Sequence, residues 1–140
     1  MRAVADTNVV ISGLLWNGPS RAVLDRARSG AVDLFTSPAL LAELEDVLAR
    51  RKFLRRLQLA RTSVHELILG YASLAHVIRP APIEPIVLAD PDDDAVLACA
   101  LAARVDVIVS GDGHLLALGQ VEGIRVVTAA GFLALTPSPR

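Results

Sequence analysis

Two short runs of branched apolar residues, Val107-Ile-Val109 and the pair Val126-Val127 that follows Arg125, lack polar alternation. A strand with one face in water alternates apolar and polar side chains, whereas a strand covered by helices on both faces does not. The chain is therefore expected to build a mainly parallel sheet with helices packed on each side, an α/β architecture. The remaining segments agree. Ala3-Val4-Ala5 ends in Asp6-Thr-Asn8, and Val9-Val10-Ile11 and the turn-forming Trp16-Asn-Gly-Pro-Ser20 follow. This stretch reads as a strand, a polar tip and a loop. Ser20 is placed to cap a helix carrying Val23, Leu24 and Ala27 that ends near Ser29-Gly30. Leu34-Phe-Thr36 is a short strand, and Ser37-Pro38 is a strong helix start, a capping hydroxyl before proline at the first helical position. Leu40, Leu41, Leu44, Val47 and Leu48 then recur at helical spacing.

Residues Arg50 to Arg61 contain six of the 14 basic residues, with Phe53, Leu54, Leu57 and Leu59 between them, so a basic face and an apolar face are expected. A helix from about Ser63 to Ala75 and a strand at His76-Val-Ile78 follow. Pro80, Pro82 and Pro85 then force an extended connection that ends in Asp90-Pro-Asp-Asp-Asp94. The run Ala95 to Ala103 is apolar almost all round and suits a helix buried on the sheet. A short terminal helix is expected around Ala129 to Leu135. With 140 residues and 53% hydrophobic content, one domain over residues 1–135 with a loose tail at 136–140 is expected.

Fourteen basic against fifteen acidic residues leave no global field to attract nucleic acid or an anionic membrane, so any such partner is met locally. The single cysteine, Cys99, lies in an apolar run and cannot form an internal disulfide, which points to a reducing, cytoplasmic setting. Asp6 and Asn8 interrupt the apolar stretch from Met1 to Leu15, so neither a signal peptide nor a membrane span is expected.

The chemistry-bearing residues are carboxylates. In an open parallel sheet, ligands bind beyond the carboxyl ends of the strands, and Asp6 and Asp112 both stand at such ends. Asp94 directly precedes the apolar helix and is expected above the face formed by Leu97, Ala98 and Leu101. Around the helix after Pro38, Glu43 and Glu45 flank the apolar stripe on opposite sides, and periodicity alone does not choose between them. Carboxylates forced together repel unless a cation neutralises them. A hard divalent ion, Mg²⁺ or Mn²⁺, takes oxygen ligands, keeps several waters and can hold a phosphodiester against an attacking water. Zinc is disfavoured, because His65, His76 and His114 show no ligand spacing and Cys99 reads as core.

The segment Asp6-Thr-Asn-Val-Val-Ile-Ser-Gly-Leu-Leu15 resembles the opening of PIN-domain ribonucleases of the VapC-like toxin group. The resemblance continues in Ser37-Pro38 with Leu41-Ala-Glu-Leu-Glu45, in Leu48-Ala-Arg-Arg-Lys-Phe53, in Asp90 to Leu101, and in Ile108-Val-Ser-Gly-Asp-Gly-His-Leu-Leu116. It implies a three-layer α/β/α sandwich with a parallel sheet of four or five strands, frequent homodimers and inhibition by a small antitoxin protein. Carried over by position, it makes Asp6, Glu43, Asp94 and Asp112 the catalytic and metal-holding quartet, with Asn8 and Ser110 as supporting polar neighbours. It also breaks the tie between Glu43 and Glu45. His114 departs from the pattern, standing where this group often has a second acid, and Asp92 and Asp93 leave the register of Asp94 open.

The expected activity is Mg²⁺- or Mn²⁺-dependent endoribonucleolytic cleavage by the toxin of a toxin–antitoxin pair. Arg50, Arg51, Lys52, Arg55 and Arg56 are candidates for contacting the RNA backbone, against the simpler reading of a solvated helix face. The apolar residues among them suit an antitoxin helix or a dimer interface equally well. Trp16 is a candidate base-stacking residue, against the simpler reading that it packs a loop. Two other functions stay open: a small aspartate-dependent phosphatase, although Asn8 stands where that chemistry usually has a second aspartate, and an inactive PIN-like binding module.

Overall fold

A computed structural model describes residues 1–81 and 91–135. In chain order the elements are β1 (Arg2–Ala5), α1 (Thr7–Leu15), α2 (Pro19–Arg28), β2 (Asp33–Thr36), α3 (Pro38–Leu48), a 3₁₀ turn (Arg51–Phe53) and α4 (Leu54–Leu59). There follow α5 (Val64–Leu74), β3 (His76–Val77), α6 (Pro91–Ala103), β4 (Val107–Val109), α7 (Gly113–Leu118), β5 (Gln120–Val121), β6 (Ile124–Val127) and α8 (Ala129–Leu135). The expected tail at 136–140 and the connection through Pro82 and Pro85 lie outside the described residues.

The strands form one sheet in the order β3-β2-β1-β4-β6-β5, parallel throughout except for the edge pair β5–β6. The five parallel strands match the expected sheet, and the two-residue antiparallel edge is additional. It arises from a tight hairpin in which Glu122 and Gly123 both take positive φ, 48° and 82°, a turn too short to leave a hydrophobic pattern.

Both faces of the sheet are covered. Ala3, Ala5, Val107 and Val109 pack with Val10, Leu24, Leu44, Tyr71 and Phe132 in one layer. Val4, Ile108 and Val126 point the other way, into Val96, Leu97, Cys99 and Ala100 of α6 and Leu115 of α7. Cys99 is fully buried, and burial pushes its thiol pKa up to about 12, which leaves it inert core.

The segment after β1 differs from the expected loop. Thr7–Leu15 is helical although Val9, Val10 and Ile11 are β-branched, because Asp6 caps its first turn and all three side chains are buried against the sheet. Burial of an apolar face outweighs the small propensity cost of branched residues. α2 begins one residue before the expected cap, with Gly18 at the cap and Pro19 opening the helix. The three-residue connection between α1 and α2 brings the two helices into close contact at Gly13. A Cβ there would stand 2.7 Å from Leu24 Cδ1 and 2.8 Å from the Ser20 carbonyl oxygen, and that carbonyl cannot swing aside as a side chain can. Gly13→Ala is expected to destabilise the fold by about 1–3 kcal/mol, read as a lower urea midpoint with the slope unchanged.

The chain builds β1, β2 and β3 outward on one side, then crosses back to lay β4 on the other side of β1. The gap above β1 and β4 is the switch point at which α/β sheets open a crevice beyond their strand ends.

Candidate active site

Asp6 follows β1 directly, and its amide donates to the Val109 carbonyl of β4 at 3.0 Å, which fixes it over the switch point. Its backbone is extended (φ −71°, ψ 166°), so the side chain turns back over α1 and Oδ1 accepts the Val9 amide at 2.9 Å. The Ser110 hydroxyl donates to Asp6 Oδ2, and Ser110 Oγ accepts the Asp112 amide at 2.9 Å. Ser110 is fully buried. It therefore ties the ends of β1 and β4 together under the site. Asp6 is only 5% exposed, and burial raises its carboxyl above the ordinary value against the lowering effect of the Ser110 and Val9 hydrogen bonds.

Asp112 caps α7, with Oδ1 accepting the amides of His114 at 2.7 Å and Leu115 at 3.1 Å. Partial burial works against its charge. The Leu115 amide, the Asp93 carboxyl, the His114 amide and the His114 ring outweigh that effect and hold its pKa below the ordinary value. Two neighbouring acids are thus pushed in opposite directions, an arrangement frequent at functional sites.

A cleft of about 40 Å³ lies between them, lined by Asp6, Thr7, Asn8, Glu43, Asp93, Val96 and Asp112. It has room for an ion with a few waters but not for a nucleobase. Asp6, Asn8, Glu43 and Asp112 thus meet in one place from α1, α3 and two strand ends, with Ser110 beneath them. Glu43 is half-buried and Glu45 exposed, so the structure separates the two acids that periodicity did not.

The third acid differs from expectation. Asp93 lines the cleft and Asp94 does not. α6 begins at Pro91, so both residues lie inside its first turn and neither precedes the helix. Asp93 shares a stripe with Val96, Leu97 and Ala100, all buried, whereas Asp94 shares one with the half-buried Ala98 and Leu101. The signal was present in the sequence: Asp90-Pro91 pairs a residue type common at helix starts with a following proline, the same kind of pattern as Ser37-Pro38 before α3. Thr7 also lines the cleft without having been singled out.

His114 stands beside the acids despite the absence of a helical ligand spacing. Its Nδ1 is 3.8 Å from Asp112 Oδ1 and 4.0 Å from Asp93 Oδ2. The donor atoms of Asp93, Asp112 and His114 all lie within 4.8 Å of one another. Three or four carboxylates with an imidazole at the rim are a donor set that suits a divalent cation.

The basic segment does not divide into a basic and an apolar face. Leu57 is buried, while Leu54 and Leu59 are 54% and 67% exposed. Arg50, Arg51, Lys52 and Arg55 are exposed, but Arg56 turns inward. Its Nε and Nη2 donate to the Leu15 carbonyl at 2.8 and 2.5 Å, closing the C-terminal end of α1, and its guanidinium lies 5.2 Å from the centre of the Trp16 ring. Trp16 also meets Phe53 edge-on at 6.3 Å. Trp16 and Arg56 are thus engaged in joining α4 to α1. Among the described residues, no helix is long and apolar enough to cross a membrane.

The family model described as the PIN domain matches residues 2–114. No curated protein matches by sequence. Among solved structures, VapBC2 from Rickettsia felis, bound to a DNA fragment from its promoter, aligns over 90% of this chain and 97% of its own with a TM-score of 0.58 and 12% identity. FitAcB from Neisseria gonorrhoeae aligns over 91% and 98% with a TM-score of 0.55 and 20% identity. VapC20 from Mycobacterium tuberculosis, described as a sarcin-ricin loop cleaving toxin, aligns over 88% and 98% with a TM-score of 0.54 and 16% identity. At these identities the likeness is one of fold.

Proposed function

The chain belongs to the PIN domain family, and from that premise we propose that it is a divalent-metal-dependent endoribonuclease, the toxin of a toxin–antitoxin pair. The observation that carries the proposal is the meeting of Asp6, Glu43, Asp93 and Asp112 in one cleft at the switch point of the sheet. Four carboxylates so close repel one another unless a cation lies among them or some of them take up protons, and a cation lets all four stay ionised. The similarity in fold to a toxin described as cleaving the sarcin-ricin loop supports RNA as the substrate. The similarity to VapBC2 and FitAcB supports an antitoxin partner, and a homodimer belongs to the same reading.

In this proposal Asp6, Asp93 and Asp112 hold Mg²⁺ or Mn²⁺, with Glu43 as a further ligand or as the base that orients the attacking water. The ion, when bound, supplies Lewis-acid polarisation of a phosphoryl oxygen and a water of lowered pKa. The protein's own part is positioning. Ser110 and the Val9 amide fix both oxygens of Asp6, and the two amides at the head of α7 fix Asp112, so the acids are set before substrate arrives. In this proposal the RNA strand lies across the mouth of the narrow cleft, with Asn8 in its lining, and Arg50, Arg51, Lys52 and Arg55, exposed beyond the far end of α1, contact its backbone farther along.

The test is cleavage of a panel of structured and single-stranded RNAs by purified, antitoxin-free protein in Mg²⁺, Mn²⁺ or EDTA. Cutting in either metal that EDTA abolishes is the expected result. Folded protein that leaves every RNA intact would overturn the proposal.

A further inference from the structure

We propose that His114 gives the acidic cleft a nitrogen ligand, so that the site prefers manganese and the later first-row divalent ions, cobalt and zinc among them, over magnesium. The inference rests on the metal site proposed above and specifies its chemistry. His114 lies in the first turn of α7, two residues beyond the cap Asp112, and its side chain is 59% exposed at the rim of the cleft. The separations of 3.8 Å to Asp112 Oδ1 and 4.0 Å to Asp93 Oδ2 are too long for hydrogen bonds. They do suit donors that share one ion. Two ligands at about 2.0–2.2 Å from a metal stand at most about 4.4 Å apart, so a cation among Nδ1 and the two carboxylate oxygens needs little side-chain movement.

The donor set then decides between ions. Magnesium is small, demands near-ideal octahedral oxygen coordination and gains little from imidazole. Manganese, cobalt and zinc accept mixed nitrogen and oxygen ligands, with affinity rising along the first-row series. An acid at position 114 would add charge and favour magnesium. The imidazole adds a softer donor without charge, and the position is set by the cap geometry of α7, which presents residue 114 toward the same opening as Asp112.

The experiment is metal binding by the full chain after EDTA stripping. Co²⁺ is followed by its visible absorption, Mn²⁺ by the electron paramagnetic resonance signal of the free ion, and Mg²⁺ by competition against Mn²⁺. Wild type is compared with His114→Asp and His114→Ala, both at an exposed site and both checked by thermal melting. Both variants are expected to bind Co²⁺ about tenfold or more weakly, with altered absorption, while Mg²⁺ binding by His114→Asp is unchanged or tighter. Unchanged Co²⁺ and Mn²⁺ binding in both variants would overturn the inference, as would a wild type that binds no ion or ranks magnesium first. RNA cleavage is a separate readout. His114-dependent cobalt binding by a protein that cuts no RNA would overturn the ribonuclease reading alone.

Discussion

Asp6→Asn is expected to reduce RNA cleavage by about 10³-fold or more, the equivalent of about 4 kcal/mol of transition-state stabilisation, without loss of stability. The activity loss follows because an amide oxygen is a poor substitute for a carboxylate beside a divalent ion. Stability is retained because asparagine caps a helix as well as aspartate does and can accept the Val9 amide in the same way. The Asn amide then donates to Ser110 Oγ, whose second lone pair stays with the Asp112 amide, and the hydroxyl proton that Asp6 accepted must find another acceptor, a cost that the relief of the buried charge offsets. The wild-type side chain is a carboxylate almost fully buried, and its pKa is raised mainly by desolvation. The folded protein therefore binds this proton more readily than the unfolded chain. In EDTA the ionised Asp6 weakens the fold above its folded-state pKa, and the penalty disappears as pH falls from that value toward 3.8. The melting temperature of Asp6→Asn should accordingly equal or exceed that of wild type near neutral pH, with the difference fading in acid. Added Mn²⁺ should raise the wild-type melting temperature and raise that of the variant less, since Asp93, Asp112 and His114 remain. A variant that cuts RNA as fast as wild type would remove Asp6 from the site.

These residues also show which parts of the molecule local sequence signals carry. The strand at Val107–Val109 and the helix after Ser37-Pro38 were legible because each announces itself over a few residues, by branching in one case and by a cap and proline in the other. α1 was not, since Val9-Val10-Ile11 favours a strand locally and becomes helical through the Asp6 cap and burial. α7 is held by packing of Leu115 into the α6 layer and β5 only by its hairpin with β6, and six and two residues are too few for periodicity to register. In the site, Asp6 and Asp112 were legible from their position at strand ends. Glu43 could not be separated from Glu45 by the helical wheel, because both flank the apolar stripe and only the packed tertiary structure says which side faces the sheet edge. His114 stood out only through the family pattern, where it replaces an acid; spacing gave no sign of it as a ligand, because its partner Asp93 is remote in sequence and Asp112 is only two residues away, a separation that reflects a helix cap rather than a helix face.

The consequence with the sharpest contrast concerns two adjacent aspartates. Asp93→Asn is expected to lower cleavage by about 10²–10³-fold and to weaken Mn²⁺ binding, while Asp94→Asn changes the rate by less than about threefold. The two residues share a type, a helical turn and proximity to the dipole of α6, so any general effect of negative charge at a helix start touches both alike. Only the helical register distinguishes them. One residue along a helix is a rotation of about 100°, enough to move a carboxylate from the cleft to its flank. With α6 beginning at Pro91, Asp93 is 6% exposed and shares the cleft with Val96, Glu43 and Asp112. A helix beginning at Asp94 would carry that residue above Leu97 and Leu101 instead, and the two variants would exchange phenotypes. Measured side by side on one RNA in Mn²⁺, with melting temperatures confirming that both are folded, the pair reports the register of α6 through its chemistry. Equal losses in the two variants would mean that the acids act through their summed charge, and the cleft as described would not be the site of cleavage.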